Sequence, residues 1–470
     1  MTRVLKTGLL LALVFGVVWL AVIIWWQESH TLPTGTDIGL YLFALPLALI
    51  AAGWAGARVV RARREARAAP AGPAAAGDAD AAPAAPITPR LIVLASAARA
   101  APGNDPQAIH AAVTEQQRPD LDTFLKNAKG FPIFSARAAH LDTEMLRDAA
   151  VQANAPQAAQ AEDRMRATTL LSEVIQSLSQ AARAHVLDGG TPQRDDAWPL
   201  LQLELMLPAD WPEAACDHAV EQARAATVWP STRTTVRIHA AQDALASDSL
   251  LRQLAQEPLT PAIATMRLVA AADSYIDASQ VQDWEAQGTL AGNATPQGRI
   301  PGEAAAGLLL DLAMAMTPAP GMPPPATDLA PPADALVLTL SPTAQRATRA
   351  DARGAVMEPM LTAMATQFLE GHAQPADAIG ALVSDADHRG SRPLEAVGLA
   401  SALFPALDPN QDCLAVGAAC GYTGAASHLL TLAVASEACT QSDSPVLAVL
   451  TQDPAQRTLT LVSRAPSLSA

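Results

Sequence analysis

Strand-like and helix-like hydrophobic patterns alternate from Pro89 onward, stop at a proline-rich segment, and start again. Arg90–Ser96 is an apolar run of strand length. Leu201–Leu207 alternates, and Thr234–Ala240, Met266–Ala272 and Ala304–Asp311 continue the series. Between them, Arg166–Ala184 and Glu213–Ala226 space apolar residues three and four apart, as one helix face requires. Thr317–Asp334 then holds seven prolines, which lack the amide hydrogen and the freedom in φ that a helix interior or central strand needs. The pattern resumes with strands at Ala335–Leu340, Ala378–Asp385, Cys413–Gly417, Pro445–Leu450 and Thr458–Ser463, and an amphipathic helix at Met357–Glu370. The last two strands flank a hairpin-like loop at Asp453–Gln456. Roughly five strands on each side of the prolines predict an internal duplication, with sheets covered by helices on both faces. Ala425–Ala438 is nearly apolar all round, leaving Ser427, His428, Thr431, Ser436 and Glu437 to face water. Such a helix belongs inside a large core.

Two uncharged apolar runs precede this region, residues 7–26 and 38–57. About 20 such residues cross a bilayer core as a helix. Arg3 and Lys6 flank the first run, and Arg58, Arg61, Arg63, Arg64 and Arg67 follow the second. The turn between them has no Lys or Arg, and Trp25, Trp26 and Tyr41 sit at its ends. The positive-inside bias predicts a two-pass anchor in a bacterial inner membrane, with both termini in the cytoplasm. The expected organisation is an anchor over 1–67, a low-complexity linker over 68–89, one α/β half over 90–316, a connection over 317–333 and a second half over 334–470. The net charge of −15 argues against nucleic acid as a partner. Cys216, Cys413, Cys420 and Cys439 are widely spaced and read as reduced thiols.

Three segments go beyond patterning. Leu268–Asp277 (LVAAADSYID) is a strand running into a turn. Ile300–Leu310 (IPGEAAAGLLL) leads into another strand. Gly421–Ser427 (GYTGAAS) opens a helix. In order and spacing they resemble the β-ketoacyl synthase branch of the thiolase superfamily. Asp385–Ala396 (DADHRGSRPLEA) resembles that family's loop carrying its first catalytic histidine. The resemblance implies a five-layered αβαβα fold of two similar halves that can form a homodimer. Gly302 precedes a buried strand, where a side chain would crowd the neighbouring loop. Gly421 and Gly424 allow close backbone approach at a helix start, which also aims free N–H groups at the implied pocket. Tight packing and ligand binding both remain open for these glycines.

The chemistry of that family needs a thiolate at a helix start and two groups that stabilise an oxyanion. The resemblance places the nucleophile near residues 238–245, which read Ile-His-Ala-Ala-Gln-Asp-Ala-Leu and contain no cysteine. The second histidine position is Tyr422, and a phenol does not replace an imidazole as a base near neutral pH. His388 falls in the first-histidine loop, although that loop reads His-Arg-Gly-Ser. His239 lies beside the nucleophile position. His388, Tyr422 and His239 are therefore the candidate residues of a vestigial pocket. Cys413, Cys420 and His428 match no compact zinc spacing, and phosphate-loop and Gly-x-Ser-x-Gly signatures are missing, so neither metal nor cofactor is expected.

The resulting expectation is a membrane-anchored, non-catalytic adaptor or scaffold that binds another protein. Degenerate thiolase-like proteins of this kind resemble accessory components of bacterial secretion systems, type VI in particular. The competing expectation is an acyltransferase or condensing-type enzyme of lipid or polyketide metabolism with a rebuilt site. A third is an acyl-group sensor that keeps the pocket without the reaction.

Overall fold

The computed structural model describes residues 89–152, 161–257, 264–311, 334–350, 359–390 and 392–465. Both apolar runs, nearly all of the linker and all of the connection over 317–333 lie outside the described residues. Among the described residues no helix is long and apolar enough to cross a membrane.

The first half runs β1 (Arg90–Ala100), α1 (Pro106–Thr114), β2 (Asp120–Lys126), β3 (Pro132–Ser135), α2 (Thr143–Gln152), α3 (Glu162–Asp188), β4 (Leu200–Pro208), α4 (Glu213–Ala226), β5 (Thr234–Ala241), α5 (Ala246–Gln256), β6 (Thr265–Ser274), α6 (Ala278–Ala286) and β7 (Glu303–Asp311). The second runs β8 (Leu336–Leu340), β9 (Ala344–Gln345), α7 (Met360–Gly371), β10 (Ala381–Ser384), α8 (Arg392–Leu403), β11 (Cys413–Ala415), α9 (Val416–Cys420), α10 (Ser427–Ser442), β12 (Val446–Leu450) and β13 (Gln456–Arg464).

Strand order reveals the duplication. The first half is ordered β5-β4-β6-β7-β1 and the second β11-β10-β12-β13-β8. Within each half the second strand of this order, β4 or β10, pairs in parallel with both of its neighbours. The last strand of each half runs antiparallel to both of its neighbours. The two sheets join where β1 pairs antiparallel with β8, from Arg90↔Thr339 to Val93↔Leu336. Helices between the parallel strands follow from topology, because a parallel crossover needs a long connection.

Five layers result. On β4, Leu201, Leu203, Leu205 and Leu207 face outward against α3 and α4, while Met206 faces inward. This is the period-two alternation of a strand. Inward-facing Val269, Leu308 and Leu310 of the first sheet share one core with Val383, Val446 and Ala448 of the second. Between them lie Leu250, Leu251 and Leu254 of α5 and the apolar length of α10. The outer face of the second sheet buries Leu382, Leu447 and Leu461 under Leu361 and Phe368 of α7 and Leu399 of α8. Helix α10 is buried more completely than its sequence suggests. Ser427, His428, Thr431 and Ser436, expected to face water, are buried, and only Glu437 of that set is half-exposed. The central layer has sheet on both sides, so this helix has no aqueous face over most of its length.

Candidate functional site

The three motif segments meet at one place. The Tyr422 amide donates to the Ile300 carbonyl at 2.9 Å, and the Tyr275 amide to the Gly302 carbonyl at 2.9 Å. From the other half, the Ala425 amide donates to Asp273 Oδ2 at 2.9 Å. Two of the motif glycines are explained by this approach. A Cβ on Gly302 would stand 2.2 Å from the Cys420 carbonyl oxygen. A Cβ on Gly424, whose φ is +47°, would stand 1.9 Å from Asp273 Oδ2. Both positions therefore exclude side chains because the two halves touch there. Glu303 anchors the same corner from below: buried, it pairs with Arg166 of α3 at 2.6 Å and accepts the Ala138 amide at 2.6 Å.

An aromatic cluster covers the meeting point. The Tyr275, Trp284 and Tyr422 ring centroids lie 4.9 to 5.8 Å apart. The Arg299 guanidinium sits 4.5 Å from the Tyr422 centroid and 5.4 Å from that of Trp284. Arg389 covers Tyr422 at 5.4 Å and is held by Asp387 at 2.7 Å. The Gln297 side chain accepts the Gly390 amide, latching the loop before β7 to the loop after β10. Beneath the rings, burial pushes the Asp273 carboxyl up to about 7, although Ala425 N–H, Tyr275 OH and Ser274 N–H donate to it. Burial, then the neighbouring Asp273, raises the Tyr275 phenol as well.

Solved structures with this architecture include ketosynthases. The ishigamide ketosynthase/chain length factor is 15% identical over 80% of this chain and 99% of its own, with a TM-score of 0.50. A chain from a complex of a type II polyketide synthase acyl-carrier protein with its ketosynthase bound to the hexaketide is 9% identical, over 80% and 100%, with a TM-score of 0.50. The chain has the ketosynthase form of the thiolase fold. The sequence matches no family model and no curated protein.

In this ketosynthase-type fold the turn from β5 into α5 is where the resemblance places the nucleophile. It holds Asp243, whose carboxylate accepts the Leu245 amide at 2.9 Å. The thiols lie elsewhere. Cys420, immediately before Gly421, is buried, and burial pushes its thiol up to about 12. Burial also raises Cys413 and Cys439 to about 11 and lifts Cys216. Each stays protonated near neutral pH and is a poor nucleophile.

The three candidate residues take separate positions. Tyr422 is in the aromatic cluster. His388 is exposed, while the carboxylates flanking it turn inward; Asp385 accepts the Thr451 amide at 2.6 Å and the Gln452 amide at 3.1 Å. His239 lies on edge strand β5, with Nε2 2.7 Å from Glu204 Oε2. Asp273, Tyr275, Trp284, Arg299 and Arg389 were assigned no role from sequence. Asp273 and Tyr275 lie within a motif already singled out, whereas Arg299 approaches through a loop with no sequence signature. Among the described residues no group of three or more His, Cys, Asp or Glu is placed to hold a metal ion.

Proposed function

We propose that this chain is a membrane-tethered, non-catalytic protein of ketosynthase-type fold that serves as a binding adaptor for another protein. The observation that carries this reading is that Tyr422, at the position where the resemblance puts a catalytic histidine, packs against Tyr275 and Trp284 beneath Arg299. The absence of cysteine between residues 238 and 245 supports it. So does the high pKa of Cys420, the thiol nearest the cluster. An adaptor role also agrees with the two matched structures, whose descriptions pair a ketosynthase with a chain length factor or an acyl-carrier protein. The apolar runs 7–26 and 38–57, with basic residues on both outer sides, support the tether.

Thiol reactivity tests the pocket. A thiol-selective disulfide reagent at about pH 8 is expected to leave Cys420 unmodified in the native protein and to modify it after denaturation. Rapid native modification of Cys420 would instead favour an acyltransferase or condensing enzyme with a rebuilt site. Reporter fusions after residue 70 and within residues 28–36 test the tether separately, and periplasmic activity at residue 70 would contradict it.

A further inference from the structure

The hairpin of β2 and β3 presents an unusual surface. Phe124 is 75% exposed, Phe131 64%, Leu121 55% and Phe134 50%. The chain has seven phenylalanines, and three of them are exposed on these sixteen residues, whereas Phe368 and Phe404 are buried. The chain has three lysines, and two of them, Lys126 and Lys129, are exposed at the hairpin's turn.

Exposure here is not looseness. Leu125 and Ile133 on the opposite side are buried with Ile276, Val281 and Trp284. Asp122 pairs with Arg137 at 2.9 Å, and Asn127 Oδ1 accepts the amides of Lys129 and Phe131 at 3.0 Å each. The Ala128 amide is tied to Glu285 of α6 at 2.7 Å. A rigid hairpin therefore holds four large apolar side chains in water. Single exposed apolar residues are ordinary; a cluster of aromatics rimmed by lysines marks a contact surface.

We propose that this hairpin docks onto an anionic lipid surface, with the phenylalanines entering the headgroup boundary and Lys126 and Lys129 pairing with lipid phosphates. Charge favours this occupant. Residues 118–137 carry Arg118, Lys126, Lys129 and Arg137 against Asp120 and Asp122, and with Glu285 held at the turn an excess of one positive charge remains, in a chain of net charge −15. Of these acids, Asp122 is already neutralised by Arg137. Phenylalanine beside lysine is the combination that binds interfaces, through apolar burial plus attraction to anionic headgroups. Reach permits it. The proposal rests on the tether reading: residues 58–89 extend up to about 110 Å, whereas β1 separates Arg90 from the hairpin end of the sheet by about 35 Å.

Hydrogen exchange on the full chain in lipid nanodiscs tests this. In discs with about 30% phosphatidylglycerol, peptides from residues 120–135 are expected to exchange about tenfold more slowly than in pure phosphatidylcholine discs, while β6 and β7 stay unchanged. K126E/K129E and F124S/F131S/F134S should each abolish the difference while keeping that β6 and β7 protection. Equal hairpin exchange in both lipids would overturn the proposal. Protection that appears without lipid and rises with protein concentration would overturn it in favour of a second copy. Protection that appears only on adding a soluble protein would do so in favour of a protein surface. Failure of the tether reads out differently, as a chain that does not co-purify with phosphatidylcholine discs at all.

Discussion

The two halves share one strand order but use their corresponding parts differently. In the first half the last strand, β7, carries Glu303, which meets Arg166 of α3. In the second half the last strand, β13, carries Arg457, which meets Glu395 of α8 at 2.7 Å, and Arg346 joins the same carboxylate at 2.6 Å. The strand residue is acidic in one half and basic in the other, and the partner helices are not equivalent: α3 precedes β4, whereas α8 follows β10. The helices of the middle layer differ too: α5 has buried Leu250, Leu251 and Leu254 with exposed residues opposite, while α10 is buried nearly throughout. The duplication therefore preserves topology, while each half solves its own packing and electrostatics. The site lies where turns of the two halves meet, around Asp273 and Tyr422.

The largest expected effect concerns the shared layer. Residues 86–320 and 330–470 expressed separately should not unfold cooperatively as soluble monomers, because each loses one wall of the central core. That loss is expected to exceed the ~5–15 kcal/mol stability of an ordinary domain. Two independently folded fragments would contradict the five-layer account. The ion pairs come next. R166M leaves Glu303 buried without its partner and should cost roughly 3–5 kcal/mol in denaturant unfolding, with R166M/E303M recovering much of it. E395Q should cost at least as much, since it leaves two buried guanidiniums, Arg346 and Arg457. Equal rescue by matching apolar pairs in both halves would blur the contrast between them.

Acid and base titrations should pull the halves in opposite directions. The folded pKa of Asp273, about 7, lies above its ordinary 3.8, so its stabilising contribution is complete below about 3.8 and disappears as pH rises through 7. His428 is buried, both ring nitrogens lack hydrogen-bond partners, and burial lowers its pKa to about 4. Its contribution is therefore present above about 6.5 and is lost as pH falls toward 4. Between about pH 5 and 8, the stability difference between wild type and D273N should move by roughly 3 kcal/mol against wild type as pH rises. Against H428L, the difference should move by roughly 2 kcal/mol the other way. Urea midpoints at the two pH values measure both. The smallest effect is local: G424A, forced into φ +47° and against the Asp273 carboxyl, should cost about 1–3 kcal/mol.

The strands were legible because apolar period is a local property: Leu201–Leu207 and Ala304–Asp311 read as strands and fold as strands, whereas the order in which they pair is not written in any one of them. The β2–β3 hairpin was missed because Leu121, Phe124 and Phe134 are exposed, so its apolar pattern does not mark a core face. The polar residues of α10 were misplaced because burial on all sides depends on the second sheet, which no window along the chain contains. Tyr422 was found through its motif. Arg299 and Trp284 were not, since cation–π contacts from a loop to one ring within α6 and another before α10 leave no spacing to read. The exposure of His388 follows from Asp385 and Asp387 turning inward, a choice that rests on Thr451 and Gln452 outside the loop together with Arg389 within it.

The most direct test of the central claim, a ketosynthase-type fold whose pocket no longer supports acyl chemistry, is intact-mass measurement after incubating the full chain with acyl-coenzyme A thioesters. The mass should remain that of the unmodified chain, because the expected nucleophile region, residues 238–245, holds no cysteine and the Cys420 thiol is protonated and buried. A stable acyl adduct that disappears in C420A would contradict the account.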